Sequence, residues 1–236
     1  MSAGRRLGLT VLCRPLCMPF DGAEGGAVLL LADDFFFVAH DSISMKSRLS
    51  DRVLRLGLAG ALLGEQVLFQ RITVRGDRLR IVNETPPRDA LAHIVLDYLR
   101  AEPDITSVRD WLRFLGRDAY EKVVQRLIRE GHMQAREKRR FLHVVTVYEP
   151  TAATGAGWPE SRLASRLSTG LGLEPPDVVL AGLVAATGLD RYVLAGTPAH
   201  ARPYLRRVVN SLPPSLRSLV EETAVVVGDA VLSSRT

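Results

Sequence analysis

Positively charged side chains recur at helical spacing in the middle of this chain. Lys122, Arg126 and Arg129 are separated by four and three residues, which places them on one face of a helix. A dense basic segment, Arg136–Arg140, follows a few residues later. Because such side chains bind phosphate, the pattern predicts a surface for lipid headgroups or for nucleic acid. Interspersed glutamates leave an ordinary solvated helix face as the alternative interpretation.

The residue types that perform catalysis are present, but no motif arranges them for it. His40 precedes Asp41, yet no serine or cysteine nucleophile is placed beside them. The chain has no phosphate-cradling loop of the GxxxxGK[ST] type, no HExxH zinc motif and no GxSxG nucleophile elbow. We therefore expect a protein that is not an enzyme and that uses no metal and no cofactor.

Two aspartates and two cysteines complete the set of chemically notable residues. Adjacent Asp33 and Asp34 would point to opposite faces of a strand, so a turn or a helix start suits them better than a cation site. Cys13 and Cys17 are too few for a disulfide framework, and we expect idle thiols in a reducing cytosol. Residues 1–26 are predicted to be a poorly ordered extension of one domain that spans residues 27–236.

Composition indicates a globular protein and gives only a mild hint of an anionic partner. The formal net charge is +5, and only Lys46, Lys122 and Lys138 of the 31 basic residues are lysines. An arginine surplus suits phosphate contacts, although it also arises in GC-rich genomes. No apolar run reaches the roughly 20 residues that a transmembrane helix needs.

The hydrophobic pattern predicts a mainly α-helical domain with short antiparallel β-hairpins. Ser50 precedes a long run with helical spacing, whose interleaved glycines indicate close packing against a neighbouring helix. Apolar residues alternate over Arg71–Val82 around Arg75-Gly76-Asp77, which is typical of a hairpin turn rather than of an RGD adhesion motif. Three more helices are predicted to begin at Thr85, Ser107 and about Arg117.

The second half of the chain is predicted to begin with another hairpin and then to be helical. Arg136–Arg140 is predicted to form the charged turn between two extended stretches, His132–Ala135 and Phe141–Tyr148. A small, uncharged segment, Thr151–Gly157, resembles a linker. The main helices expected after it are Pro159–Leu171, Pro176–Thr187, Thr197–Leu212 and Ser215–Leu232.

Successive helices followed by a hairpin are also the order of a winged-helix domain. In that interpretation Arg117–Glu130 is the recognition helix and Arg136–Arg140 is a basic wing. Only Gln125 and Gln134 supply amide side chains nearby for reading bases. Nucleic-acid binding is therefore the alternative function, and the less favoured one.

Several segments, in order and spacing, resemble the Golgi phosphoprotein 3 family in its bacterial form. The resemblance extends over nearly the whole chain, from about Ala27 to Leu232. The matching segments are LLLADDFFFVAHD at 29–41, LGLAGALLGE at 56–65, VRDWLRFLG at 108–116, RLIREGHM at 126–133, KRRFLHVVTVYEP at 138–150 and DVVLAGLVAATGLDRYVL at 177–194.

The resemblance implies a non-catalytic membrane adaptor. The eukaryotic members are peripheral membrane proteins that bind phosphatidylinositol 4-phosphate and retain glycosylation enzymes in the Golgi. For this chain it implies a cytoplasmic protein, peripheral on a membrane, that contacts anionic phospholipid. It also allows protein clients and a homo-oligomer, whereas it makes nucleic acid an unlikely partner.

The family's lipid pocket is matched only in part. A family tryptophan and a family arginine correspond to Ser50 and Ala59 here. Of the two further basic positions, which correspond to Arg117 and Tyr120, only Arg117 is kept. Basic residues close in sequence are expected to substitute electrostatically. The predicted lipid-binding residues are Arg117, Tyr120, Arg55, Arg52 and Lys122.

Overall fold

The computed structural model describes residues 29–140 and 143–233. The predicted extension over residues 1–26, with Cys13 and Cys17, lies outside them. The described chain is mostly helical and contains two separate pairs of antiparallel strands. The predicted mainly α class with short hairpins is thereby confirmed, whereas the single domain over residues 27–236 stays a prediction.

The first half of the chain contains two helices, the first hairpin and then three more helices. The elements are α1 (Leu31–Val38), α2 (Asp51–Leu68), β1 (Ile72–Arg75), β2 (Arg78–Ile81), α3 (Ala90–Ala101), α4 (Val108–Leu115) and α5 (Ala119–Arg129). The first hairpin turns at Gly76, whose positive φ of 53° suits glycine, as the sequence predicts. Helix α3 begins later than predicted, because Asp89 rather than Thr85 caps it and accepts a hydrogen bond from Ala92 N at 2.8 Å.

The second half contains the longer hairpin and the remaining helices. Its elements are β3 (Met133–Arg140), β4 (His143–Pro150), α6 (Ala153–Ala156), α7 (Trp158–Thr169), α8 (Pro175–Thr187), α9 (Asp190–Val193), α10 (Ala201–Asn210) and α11 (Pro214–Ser233). The prediction that Arg136–Arg140 forms a turn is wrong. These residues belong to β3 and pair with β4, with Arg136 opposite Val147.

Helix α1 lies in the core and packs against α2, α5, α7 and α8. Every residue of α1 is buried, including the two aspartates of its first turn. Helix α2 approaches it closely at Gly57, where an added Cβ would lie 2.3 Å from Phe35 Cζ. The predicted close helix packing at these glycines is therefore confirmed, and charged groups from several elements are drawn into the interior around α1.

Candidate anionic-ligand site

Four of the five predicted lipid-binding residues lie where the start of α2 meets the junction between α4 and α5. Arg55 of α2 donates a hydrogen bond to the main-chain oxygen of Arg117 at 3.0 Å, which ties the two segments together. Arg52 lies one helical turn before Arg55. We call Arg52, Arg55, Phe114, Arg117 and Tyr120 the junction surface.

Arg55 is fully engaged by neighbouring carboxylates. Its two terminal nitrogens bind both Glu121 oxygens at 2.6 and 2.7 Å, and its Nε donates to Asp51 Oδ2 at 2.9 Å. These hydrogen bonds hold the pKa of the Glu121 carboxyl below its usual value. Arg55 therefore holds α2 to α5, and a lipid phosphate would have to displace two carboxylates to reach it.

Tyr120 forms part of the wall beneath Arg55. Its ring packs against those of Phe36 and His40, with centroid distances of 5.7 and 6.2 Å, and burial raises the pKa of its hydroxyl. The Arg55 guanidinium carbon lies 5.8 Å from the ring centroid. Tyr120 thus supports the junction surface, where the family pattern places a basic residue.

Lys122 is neutralised, and it lies against Tyr98, whose ring packs on Phe114 of the junction surface. Its ammonium lies 2.7 Å from Asp118 Oδ2, donates to the Tyr98 hydroxyl at 2.9 Å and sits 4.4 Å from that ring's centroid. Only 20% of its side chain is exposed. The Asp118–Lys122 pair is a local i,i+4 contact, so the sequence contained the signal for this neutralisation.

Arg117 and Arg52 are the two cations of the junction surface that no carboxylate neutralises within the described residues. Arg117 is exposed, and its guanidinium carbon lies 5.7 Å from the centroid of the Phe114 ring. The Phe114 side chain is itself 42% exposed. Arg52 is exposed and donates one hydrogen bond, to Ser233 Oγ at 2.8 Å.

The predicted basic face of Lys122, Arg126 and Arg129 does not exist. Arg126 is 1% exposed because its position on α5 lies between Val123 and Leu127, which both face the core. Its Nε binds Asp33 Oδ1 at 2.9 Å, and its terminal nitrogens bind both Glu65 oxygens at 2.9 and 3.0 Å. Arg126 is an internal ion-pair residue and no part of a binding surface.

A second arginine, which is partly buried, pairs with buried aspartates next to the first. Arg162 of α7 binds Asp34 Oδ2 at 2.6 Å and Asp177 Oδ1 at 2.7 Å. Burial raises the pKa of Asp33 to about 7 and that of Asp34 to about 6, although Arg126 and Arg162 oppose the shift. These ion pairs were not predicted from the sequence, although two aspartates inside an apolar run were a signal for them.

A family model described as Golgi phosphoprotein 3 (GPP34) matches residues 31–223, which includes every segment of the site. The chain belongs to the Golgi phosphoprotein 3 family. No curated protein matches this sequence. Membership confirms the resemblance that the six sequence segments indicated. The family match extends from α1 into α11.

The two positions that the resemblance aligns with the family's tryptophan and arginine supply neither a ring nor a charge in this Golgi phosphoprotein 3 family member. Ala59 is fully buried, so the position of the family arginine faces the core here. Ser50 is exposed directly before α2 and supplies no ring against which a headgroup could pack. The junction surface therefore offers separate exposed arginines and Phe114 in place of an aromatic-lined pocket.

The remaining sequence candidates have structural roles. His40 is buried, its Nδ1 lies 2.7 Å from the Phe36 oxygen, and burial lowers its pKa. Asp41 instead accepts hydrogen bonds from Ser44 in the following loop, so the two residues do not form a catalytic pair. Over the described ranges, no helix combines the length and the apolar character needed to cross a bilayer.

Proposed function

We propose that this Golgi phosphoprotein 3 family protein is a non-catalytic adaptor that binds anionic phospholipid at a membrane surface. The observation that supports this most directly is Arg117, which is exposed, unneutralised and adjacent to the exposed ring of Phe114. Arginine binds headgroup phosphates, and an aromatic ring beside it suits the boundary between headgroups and acyl chains. Arg52 adds a second cation to the same surface.

The surface is suited to a charged bilayer more than to one enclosed headgroup. Arg55 and Lys122 are paired with carboxylates, so the phosphate contacts fall to Arg117 and Arg52. Each basic residue near an anionic membrane contributes about 1 kcal/mol. We therefore propose phosphoinositides, including phosphatidylinositol 4-phosphate, as ligands recognised mainly by their charge, with protein clients and self-association adding to the affinity.

The winged-helix alternative loses two cations of its predicted recognition helix. Arg126 is buried, Lys122 is paired with Asp118, and the solvated positions of α5 include the acidic Glu121. A duplex would meet a helix of mixed charge at that surface. The geometry therefore favours a bilayer over nucleic acid as the partner of the junction surface.

Vesicle sedimentation with charge variants tests the proposal. Arg117→Gln combined with Arg52→Gln should weaken binding to phosphatidylserine-containing vesicles by roughly 10- to 30-fold at low salt, because two contacts of about 1 kcal/mol are lost. Arg191→Gln combined with Arg206→Gln removes the same charge from exposed positions outside the junction surface and is the matched control. Equal binding by both double variants and the parent would refute a role for the junction surface.

A further inference from the structure

The first hairpin presents an outward row of arginines. In the β1–β2 register, Arg75 is paired with Arg78 and Thr73 with Arg80, so these residues share one face of the two strands. Ile72, Val74 and Leu79 occupy the opposite face and are buried. The pairing continues one step further, where Val82 N donates to the Arg71 oxygen at 2.8 Å. We call the outward residues the hairpin face: Arg71, Thr73, Arg75, Arg78, Arg80 and Val82.

The cations of the hairpin face have no carboxylate partners within residues 29–140 and 143–233. Arg75, Arg78 and Arg80 are exposed and make no side-chain hydrogen bond or ion pair there. The Nε atom of Arg71 is buried without a hydrogen-bond partner in the same part of the chain. Ten arginines elsewhere in the described residues pair with carboxylates, namely Arg48, Arg55, Arg100, Arg109, Arg113, Arg126, Arg129, Arg136, Arg162 and Arg202.

This arrangement carries an electrostatic cost within the protein alone. Like charges directly opposite each other on paired strands destabilise the pair, and Arg75 and Arg78 are in that relation. Asp77 in the turn is the nearest carboxylate in sequence. It is turned away and accepts hydrogen bonds from Arg109 N at 2.9 Å and Ser107 Oγ at 3.0 Å. An external anion is therefore the group that would neutralise the hairpin face.

Neighbouring elements form hydrogen bonds to both edges of the hairpin near its turn. Val74 N and Gly76 N donate to Ser215 Oγ and Ser218 Oγ of α11 at 2.7 and 3.1 Å, which covers the free edge of β1. Leu79 N donates to the Thr106 oxygen at 2.8 Å, which covers the edge of β2. These contacts oppose the addition of a strand near the turn and favour contact through the side chains of the outward face.

We propose that the hairpin face is a second phosphate-binding surface, which contacts the headgroups of an anionic bilayer together with the junction surface. This inference rests on the proposed function. Asp77 is hydrogen-bonded at the first turn of α4, and Arg117 follows the last turn of the same helix. The eight residues of α4 span about 12 Å, so two arginine groups flank one short helix. Val82, 60% exposed at the base of the face, adds apolar area.

Vesicle binding by a triple variant tests the second surface. Arg75→Gln, Arg78→Gln and Arg80→Gln together should weaken sedimentation with vesicles of about four parts phosphatidylcholine to one part phosphatidylserine by on the order of 100-fold at low salt. The loss should shrink as salt is added. The control variant carries Arg191→Gln, Arg206→Gln and Arg207→Gln, which remove the same charge from α9 and α10 and should change binding much less.

Thermal unfolding separates a binding role from a structural one. Removal of the Arg75–Arg78 repulsion should leave the Tm of the triple variant unchanged or slightly raised. A lowered Tm with unchanged vesicle binding would overturn the proposal, because the arginines would then serve the fold.

Two further outcomes are distinguishable. If the triple variant binds vesicles like the parent while Arg117→Gln with Arg52→Gln weakens binding, the hairpin face is refuted and the proposed function stands. If the parent binds no anionic vesicle but shifts duplex DNA in a gel, both proposals fail in favour of nucleic acid.

Discussion

Replacement of Arg126 by methionine should be one of the most destabilising single changes in this protein. The guanidinium is 1% exposed and forms hydrogen bonds to Asp33, Glu65 and Asp89. Methionine fills a similar volume but leaves the carboxylates of Asp33 and Glu65 buried without their cation. Removing one partner of a buried ion pair costs about 3–5 kcal/mol, a large fraction of the 5–15 kcal/mol that stabilises a typical domain.

Urea unfolding followed by circular dichroism measures this loss. With a slope of about 2–3 kcal/mol/M, the midpoint for Arg126→Met should fall by about 1–2.5 M. Arg129→Met is the matched control on the same helix, because Arg129 is half-exposed and its nearest Asp89 oxygen is 3.7 Å away. Its midpoint should change by less than about 0.5 M, since such pairs contribute less than about 1 kcal/mol.

A double variant distinguishes the loss of charge pairing from simple misfit. Adding Glu65→Gln to Arg126→Met removes one stranded charge and keeps an oxygen that can accept the hydrogen bond from Ala32 N. Part of the lost free energy of unfolding should then be recovered. If Arg126→Met and Arg129→Met unfold at the same urea concentration, the buried cluster does not stabilise the fold and our reasoning is refuted.

Two further predictions concern the protons and the packing around α1. Burial raises the pKa of Asp33 to about 7 from 3.8, so the folded chain binds more protons than the unfolded chain between these values. The contribution of Asp33 to the free energy of unfolding should therefore be fully present below pH 4 and be lost as the pH rises to about 7. In urea unfolding measured over this pH range, Asp33→Asn should make the free energy of unfolding decline less steeply with pH. A steeper decline in that variant would contradict the assignment. In the second prediction, Gly57→Ala should cost about 1–3 kcal/mol, because its Cβ would lie 2.3 Å from Phe35, whereas Gly228→Ala in exposed space on α11 should stabilise by about 0.5–1 kcal/mol. Equal Tm values for the two glycine variants would show that the close approach of α1 and α2 does not limit packing.

Local patterns predicted much of the fold. Alternation around Arg75-Gly76-Asp77 predicted the first hairpin, and interleaved glycines predicted the close approach of α2 to its neighbour, which Gly57 confirms. The prediction of a turn over Arg136–Arg140 was wrong, because a run of charges favours a turn by composition although these residues form β3. These five residues form part of β3 because they pair with β4, and a pairing between two strands cannot be recognised from the sequence of one of them.

The electrostatics of the site were less predictable than the fold. Helical spacing placed Arg126 with Lys122, but its partners Asp33 and Glu65 lie 93 and 61 residues away, and only the folded chain brings them together. Likewise, Arg55 and Glu121, which form two hydrogen bonds with each other, are separated by 66 residues in the sequence. Arg117 was identified by family resemblance. The hairpin arginines were recognisable in the sequence only as alternating residues, and the structure was needed to show that they have no carboxylate partners in the described residues.

Vesicle binding by the unaltered chain tests the central claim most directly. The chain should sediment with phosphatidylcholine vesicles that contain phosphatidylserine or phosphatidylinositol 4-phosphate, and not with phosphatidylcholine alone. Its apparent affinity should fall as salt rises, because separate exposed arginines are screened over about 10 Å at 0.1 M ionic strength. Equal binding to neutral and anionic vesicles, or binding that salt leaves unchanged, would contradict recognition of headgroup phosphates by unpaired arginines.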